Sequence, residues 1–193
     1  MELFELRRNN INQRVIDTVV DSLRQGGIII YPTDTNPALG CDATNGNAVA
    51  TICRIKGLNP DKKPVTVICA SLSQASQYAR IDNRAFAIMK ANTPGPVTFL
   101  LPAASTLPKI FKGRKQVGVR IPDNEIVRAL AEELGHPLVS GSIGHSDPWE
   151  LNDGIAGLLV DVDGTPGESS AIVDLTDSTS PTLLREGPVE VVL

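Results

Sequence analysis

The chain has 193 residues and a net charge of −4 at pH 7, room for one large domain or two small ones, and it excludes a surface that is a nucleic-acid footprint all over, though not a local basic cleft. Hydrophobic residues make up 41% and charged residues 21%, which excludes a disordered or fibrous chain and allows a packed core. Aromatics are only 4%, so aliphatic side chains and alanine must fill that core.

The N-terminal stretch MELFELRRNN lacks the basic-then-apolar order of a signal peptide. No apolar run approaches membrane-spanning length. Cys41, Cys53 and Cys69 are odd in number, form no CxxC pair and sit in apolar surroundings. Reduced, buried thiols in a cytoplasmic chain are the expectation.

In chain order, Ile11, Val15, Ile16, Val19 and Leu23 recur at helical spacing. Asn10 or Asn12 caps this helix and Gly26-Gly27 stops it. IIIY at 28–31 is a buried strand, and YPTDTNPALGC at 31–41 reads as a polar turn leaving it. NAVATICRIKG at 47–57 is a helix with Gly57 just past its end, and VTVICA at 65–70 is a strand. SQASQYA and NRAFAIMKAN are helices with Ser73 and Asn83 near their starts. PGPVTFLLP (94–102) and QVGVRIP (116–122) are strands. DNEIVRALAEELG is a helix capped by Asp123 and closed by Gly135. PLVSGSIG (137–144), GLLVDVDG, SAIVDLT, TLLREG and VEVVL complete the strands. The uneven polar region 144–169, with Trp149, reads as a mobile loop. Strands alternating with helices predict an α/β fold with a mixed sheet, and residues 1–193 are read as a single domain.

Small hydroxyl-bearing or basic residues stand at several strand ends: Thr33, Thr35, Thr98, Arg120, Ser140, Ser142, Ser169, Ser170 and Arg185. In open α/β sheets ligands bind in the crevice at strand ends. A guanidinium offers a fixed donor fork to phosphate or carboxylate, and Ser and Thr add short directional donors. Taken singly, each has an ordinary role: Thr33 and Thr35 cap a turn, Ser140 and Ser142 satisfy loop amides, Arg120 pairs with a carboxylate. Their recurrence at many strand ends points to a polar cleft for an anion. KGLNPDKKP holds Lys56, Lys62 and Lys63, which read as a helix terminus followed by a basic loop. KIFKGRK (109–115) is a second basic cluster. There is no GxGxxG or GxxxxGK[ST] loop, and two histidines, His136 and His145, without ligand spacing predict no metal site.

In order along residues 10–193, YPTDTNPALGCDA, ICRIKGLNPDKKPVTVIC, NTPGPVTFLLP, VGVRIPDN, PLVSGSIG, SAIVDLTD and LLREG resemble the YrdC/YciO family. The resemblance implies a twisted α/β sheet with flanking helices around a basic concave cleft. YrdC-type members are threonylcarbamoyl-adenylate synthases, which join L-threonine, bicarbonate and ATP, with Mg²⁺ carried on the ATP, for threonylcarbamoyl-adenosine modification of tRNA. The resemblance implies Lys56 and Ser142 in the catalytic motifs. It implies Thr33, Thr35, Lys62, Lys63, Thr98, Arg120, Ser140, Ser170 and Arg185 as ligand contacts. The chain also departs from the synthase pattern. Asn36-Pro37-Ala38 replaces Val-Tyr-Gly, Leu58 replaces the Arg of Lys-x-Arg, and Gly144 replaces the Asn of Ser-x-Asn. TPG followed by TF, the ICRI helix and YPTD…ALGC resemble the YciO type more. Three functions stay open: a nucleotide-handling enzyme, a module that binds nucleotide or double-stranded RNA without turnover, and an α/β protein with an unrelated ligand.

Overall fold

The computed structural model describes residues 2–8, 10–57, 66–108, 111, 113–143, 155–161 and 167–193, with only the backbone of 158, 160 and 161. Leu58, Lys62, Lys63, Lys109, Lys112, Gly144, His145 and Trp149 lie outside the described residues.

Ten strands form one mixed sheet. They are β1 (Glu2–Leu6), β2 (Ile29–Tyr31), β3 (Ala38–Asp42), β4 (Thr66–Ile68), β5 (Val97–Pro102), β6 (Gln116–Arg120), β7 (Leu138–Ser142), β8 (Gly157–Asp161), β9 (Ala171–Asp174) and β10 (Thr182–Arg185). Their order across the sheet is β1-β8-β2-β3-β7-β4-β6-β5-β9-β10. The helices are α1 (Gln13–Arg24), α2 (Gly46–Ile55), α3 (Leu72–Tyr78), α4 (Asn83–Asn92) and α5 (Glu125–Leu134).

Side chains alternate between the two sheet faces, and the helices divide accordingly. On one face, α2 packs on Ile28, Ile30, Leu39, Cys41 and Val139. On that face α3 and α4 cover Val67, Val97, Phe99, Val119 and Val173. On the other face α1 and α5 pack over Ile29, Tyr31, Ala38, Ile68 and Leu138. The stripe Ile16, Val19, Val20, Leu23 of α1 is fully buried there, as its spacing requires. Among the described residues no helix covers the rest of this second face, where β7, β4, β6, β5 and β9 carry Ser140, Thr66, Arg120, Thr98 and Ile172. That uncovered stretch positions the site.

Several predicted boundaries move. Asn12 is the cap of α1, accepting from the Arg14 amide at 3.1 Å. Ser73 and Asn83 lie near the starts of α3 and α4 as read, and the caps themselves are Ser71 and Asp82. Asn124, not Asp123, caps α5, accepting from Ile126 and Val127 amides at 3.0 and 3.4 Å. A cap must accept from the second or third helical amide, and at runs of eligible polar residues the spacing alone does not choose among them. The stretch read wholly as a turn at 31–41 is half strand: β3 begins at Ala38 and pairs antiparallel with β2 and β7. Glu2–Leu6 is an edge strand parallel to β8. GLLVDVDG is a strand as read: its first five residues form β8, inside the region 144–169 that is otherwise read as a loop. VEVVL is not a strand. Asn92 Nδ2 donates to the Val192 carbonyl at 2.7 Å, and Asn92 Oδ1 accepts from the Val192 amide at 2.9 Å. This side-chain amide stands in for a strand partner at one residue, so no ladder forms.

Candidate functional site

The site starts from the Pro32–Pro37 loop between β2 and β3. Thr33 Oγ1 accepts from the Thr35 amide at 3.0 Å and donates to the Asn36 carbonyl at 2.9 Å. The loop is thereby closed on itself, and Thr33 is spent on that closure. Thr35 and Asp34 project toward β6. Arg120, nine-tenths buried, donates from Nη2 to Asp34 Oδ1 and, at 2.9 Å, to Thr35 Oγ1. Its Nε is buried with no hydrogen-bond partner, an arrangement that native interiors rarely tolerate without a further acceptor.

Register brings the remaining groups together. Thr66 lies opposite Ser140, Ile68 opposite Arg120, and Thr98 opposite both Arg120 and Ile172. Residues partnered in register share a face, so separate strand ends become one wall. Ser170, buried at the start of β9, lies 3.1 Å from Thr98 Oγ1. It accepts from the exposed Arg185, through its carbonyl at 2.9 Å and its hydroxyl at 3.3 Å. Together these groups bound a cavity of about 230 Å³ whose polar lining includes Thr35, Thr66, Thr98, Arg120, Ser140, Ser142, Ser169, Ser170 and Arg185.

Tyr31 supports the wall from behind. Its hydroxyl donates to Ser140 Oγ at 2.6 Å, and burial raises its pKa well above the ordinary phenol value, so it stays a neutral donor. Ser140 therefore accepts from Tyr31 and keeps its own proton for the cavity. The Tyr31 ring reaches Ser140 by lying across Gly40, which is paired with Ser140 on β7. A Cβ at Gly40 would overlap the ring at Cε1 and Cδ1. Gly40→Ala is expected to cost about 1–3 kcal/mol through overpacking, read by urea denaturation. A change of less than a few tenths would show that the ring is not held there.

The structure thus brings together eight of the residues named from the sequence: Thr35, Thr98, Arg120, Ser140, Ser142, Ser169, Ser170 and Arg185. Thr33 stands behind Thr35. Lys56 is not among the lining residues. It is the C-cap of α2, and its stem packs over Gly141 on the face opposite Ser140 and Ser142. Among the described lining residues the cations are Arg120, which is paired with Asp34, and Arg185. Thr66 and Asp34 were missed by sequence reasoning. Thr66 precedes Val67 and Ile68, and alternation along β4 was the available signal for it. Nothing local marked Asp34 as the partner of Arg120. A larger cavity of about 730 Å³, lined by Arg80, Leu107, Phe111 and Arg114 among others, lies on the α2 side, where Phe111 joins the cluster of Ile52, Cys53 and Val139. Arg114 stacks over Phe111 at 5.8 Å. It lacks the convergence of buried hydroxyl groups that marks the smaller cavity.

The cysteines take no part in either arrangement. All three are free and buried. Burial pushes Cys41 and Cys69 up to about 12, with the Asp42 carboxylate adding to the effect at Cys41. Burial also raises Cys53, against the opposing Arg114 charge. Since the thiolate is the reactive form, Ellman's reagent at pH 8 is expected to leave the native protein unmodified and to titrate all three thiols once it is unfolded. Rapid reaction of the native chain would contradict this.

The chain is similar to known proteins over its length. The Sua5/YciO/YrdC family model, described as telomere recombination, matches residues 21–187. The uncharacterised protein YciO of Escherichia coli K12 is 39% identical over 96% of this chain and 95% of its own, and the E. coli YciO crystal structure superposes with a TM-score of 0.87 over 98% of both chains. A threonylcarbamoyl-AMP synthase of Aliivibrio fischeri is 30% identical over 92% of this chain and 99% of its own. The Sua5 structure of P. abyssi complexed with L-threonine gives a TM-score of 0.84 at 28% identity, over 97% of this chain but 58% of that one. Fold, motif order and relatives agree: the chain belongs to the Sua5/YciO/YrdC family.

Proposed function

We propose that the hydroxyl-lined cavity is the substrate site of a threonylcarbamoyl-adenylate synthase relative, binding L-threonine and ATP with much weakened synthesis. The observation that carries the reading is the buried Arg120, with Nε lacking an acceptor, beside Ser140, Thr98 and Ser170 at one cavity. A carboxylate or phosphate oxygen entering there supplies the missing acceptor after a small turn of the guanidinium. Ser140 and Thr98 add directional donors, and Arg185 adds charge at the mouth. The L-threonine complex of P. abyssi Sua5 supports an amino acid as one ligand. No carboxylate is among the described cavity-lining residues, and Asp34 is committed to Arg120 and Asp123. Mg²⁺ would enter with the triphosphate.

Calorimetric titration of L-threonine and of ATP–Mg²⁺ into wild type, Ser140→Ala and Arg185→Ala tests this. Losing one charge-assisted contact at Arg185 should weaken ATP by roughly tenfold to a hundredfold. Identical affinities in all three proteins, or none in wild type, would remove the cavity from consideration.

A further inference from the structure

We propose that Asp34 is a positioning residue: it holds the Arg120 guanidinium for an anionic ligand without touching that ligand. This rests on the reading of the cavity as a substrate site. Asp34 sits at the tip of a loop that Thr33 closes with two bonds, so its backbone is fixed. Both carboxylate oxygens are used. Oδ1 accepts from Arg120 Nη2, and Oδ2 accepts from the Asp123 amide at 3.0 Å. The ion pair is buried, with side-chain exposures of 9% and 10%. The second Nη2 proton goes to Thr35. With both protons of Nη2 committed, rotation of the guanidinium is restrained at one corner, and that corner is anchored to backbone on both sides of the sheet end. Thr35 and Arg120 line the cavity and Asp34 does not. Asp34 thus cancels most of the charge of Arg120 and leaves its direction.

Asp34→Asn preserves the shape but has one acceptor oxygen where two are needed, so it must turn an amide donor toward either Arg120 or the Asp123 N–H. Two readouts are expected to move together. In ¹⁵N–¹H spectra of the arginine side chains, the buried Arg120 Nε–H should exchange with solvent at least tenfold faster, while backbone amides elsewhere keep their shifts. Affinity for L-threonine and for ATP–Mg²⁺ should fall about tenfold at 0.15 M salt. Asp34→Glu, which keeps the charge one methylene further out, should lie between. Unchanged Nε–H exchange would overturn the proposal, as would faster exchange with unchanged affinity. If wild type binds neither probe, the functional reading fails, and the exchange rates of the Asn and Glu variants still decide whether Asp34 holds the guanidinium.

Discussion

Incubated with ATP, L-threonine and bicarbonate, the chain is expected to release pyrophosphate far more slowly than a relative with intact Lys-x-Arg and Ser-x-Asn motifs. The physical reason lies in what adenylate formation asks of a protein. It asks for alignment of carboxylate and triphosphate and for fixed donors at the oxygens where charge builds, not for a side chain of unusual pKa. Leu58 cannot donate a hydrogen bond or carry charge, and Gly144 offers only backbone. Removal of one donor of that kind costs about 10²–10³-fold, or about 2.7–4 kcal/mol of barrier, at oxyanion sites. Installing both with Leu58→Arg and Gly144→Asn should recover part of the rate, read as pyrophosphate and adenylate product. The competing possibility is that Lys62 or Lys63 supplies the charge from a flexible stem, without the bidentate fork. A wild-type rate equal to that of the full-motif relative would sink the prediction. Loss of that rate in Lys62→Ala or Lys63→Ala would then assign the role to the loop.

The second large effect is on stability. Arg120→Ala should lower the unfolding free energy by about 3–5 kcal/mol, because breaking a buried ion pair leaves an uncompensated charge out of water. Asp34 would keep only the Asp123 amide, and the exposure of its side chain, 10%, allows little rescue by solvent. The loss should be visible as a lowered urea midpoint with an unchanged slope. The double variant Asp34→Asn, Arg120→Met removes both charges and fills the volume. It should recover most of the loss, since replacing both partners is far less costly than orphaning one. A loss below about 1 kcal/mol, the scale of an exposed pair, would mean that water reaches Asp34 freely.

These two expectations mark what could and could not be seen in the chain. The helices were legible because their cause is local: the stripe of α1, the apolar spacing of Ile126, Val127, Leu130 and Leu134 in α5, and Gly135 with φ of +81° closing that helix all act within a few residues. The hydroxyls at strand ends were legible for the same reason, while the departures at Leu58 and Gly144 showed only against the family pattern that the chain resembles. The family order of motifs added the expectation of one cleft.

What the sequence could not disclose is which groups meet, since that is set by strand order and register. Arg120 and Asp34 are 86 positions apart, Tyr31 and Ser140 are 109, Thr98 and Ser170 are 72. β3 was hidden because ALGCD has no clear alternation. It is buried on both faces, as a central strand is. Placing β3 between β2 and β7 is what makes Gly40 the gap through which Tyr31 reaches Ser140. The sequence allowed Arg120 to pair with a carboxylate without saying which, and set Lys56 beside it as a second cation of the cleft. The fold pairs the first with Asp34 and lays the stem of the second on the opposite sheet face. Local chemistry, read from neighbours in the chain, determined the elements and the kinds of group on offer. Only the tertiary structure decided their partners, because pairing energies depend on distance in space, and the sheet brings distant residues side by side.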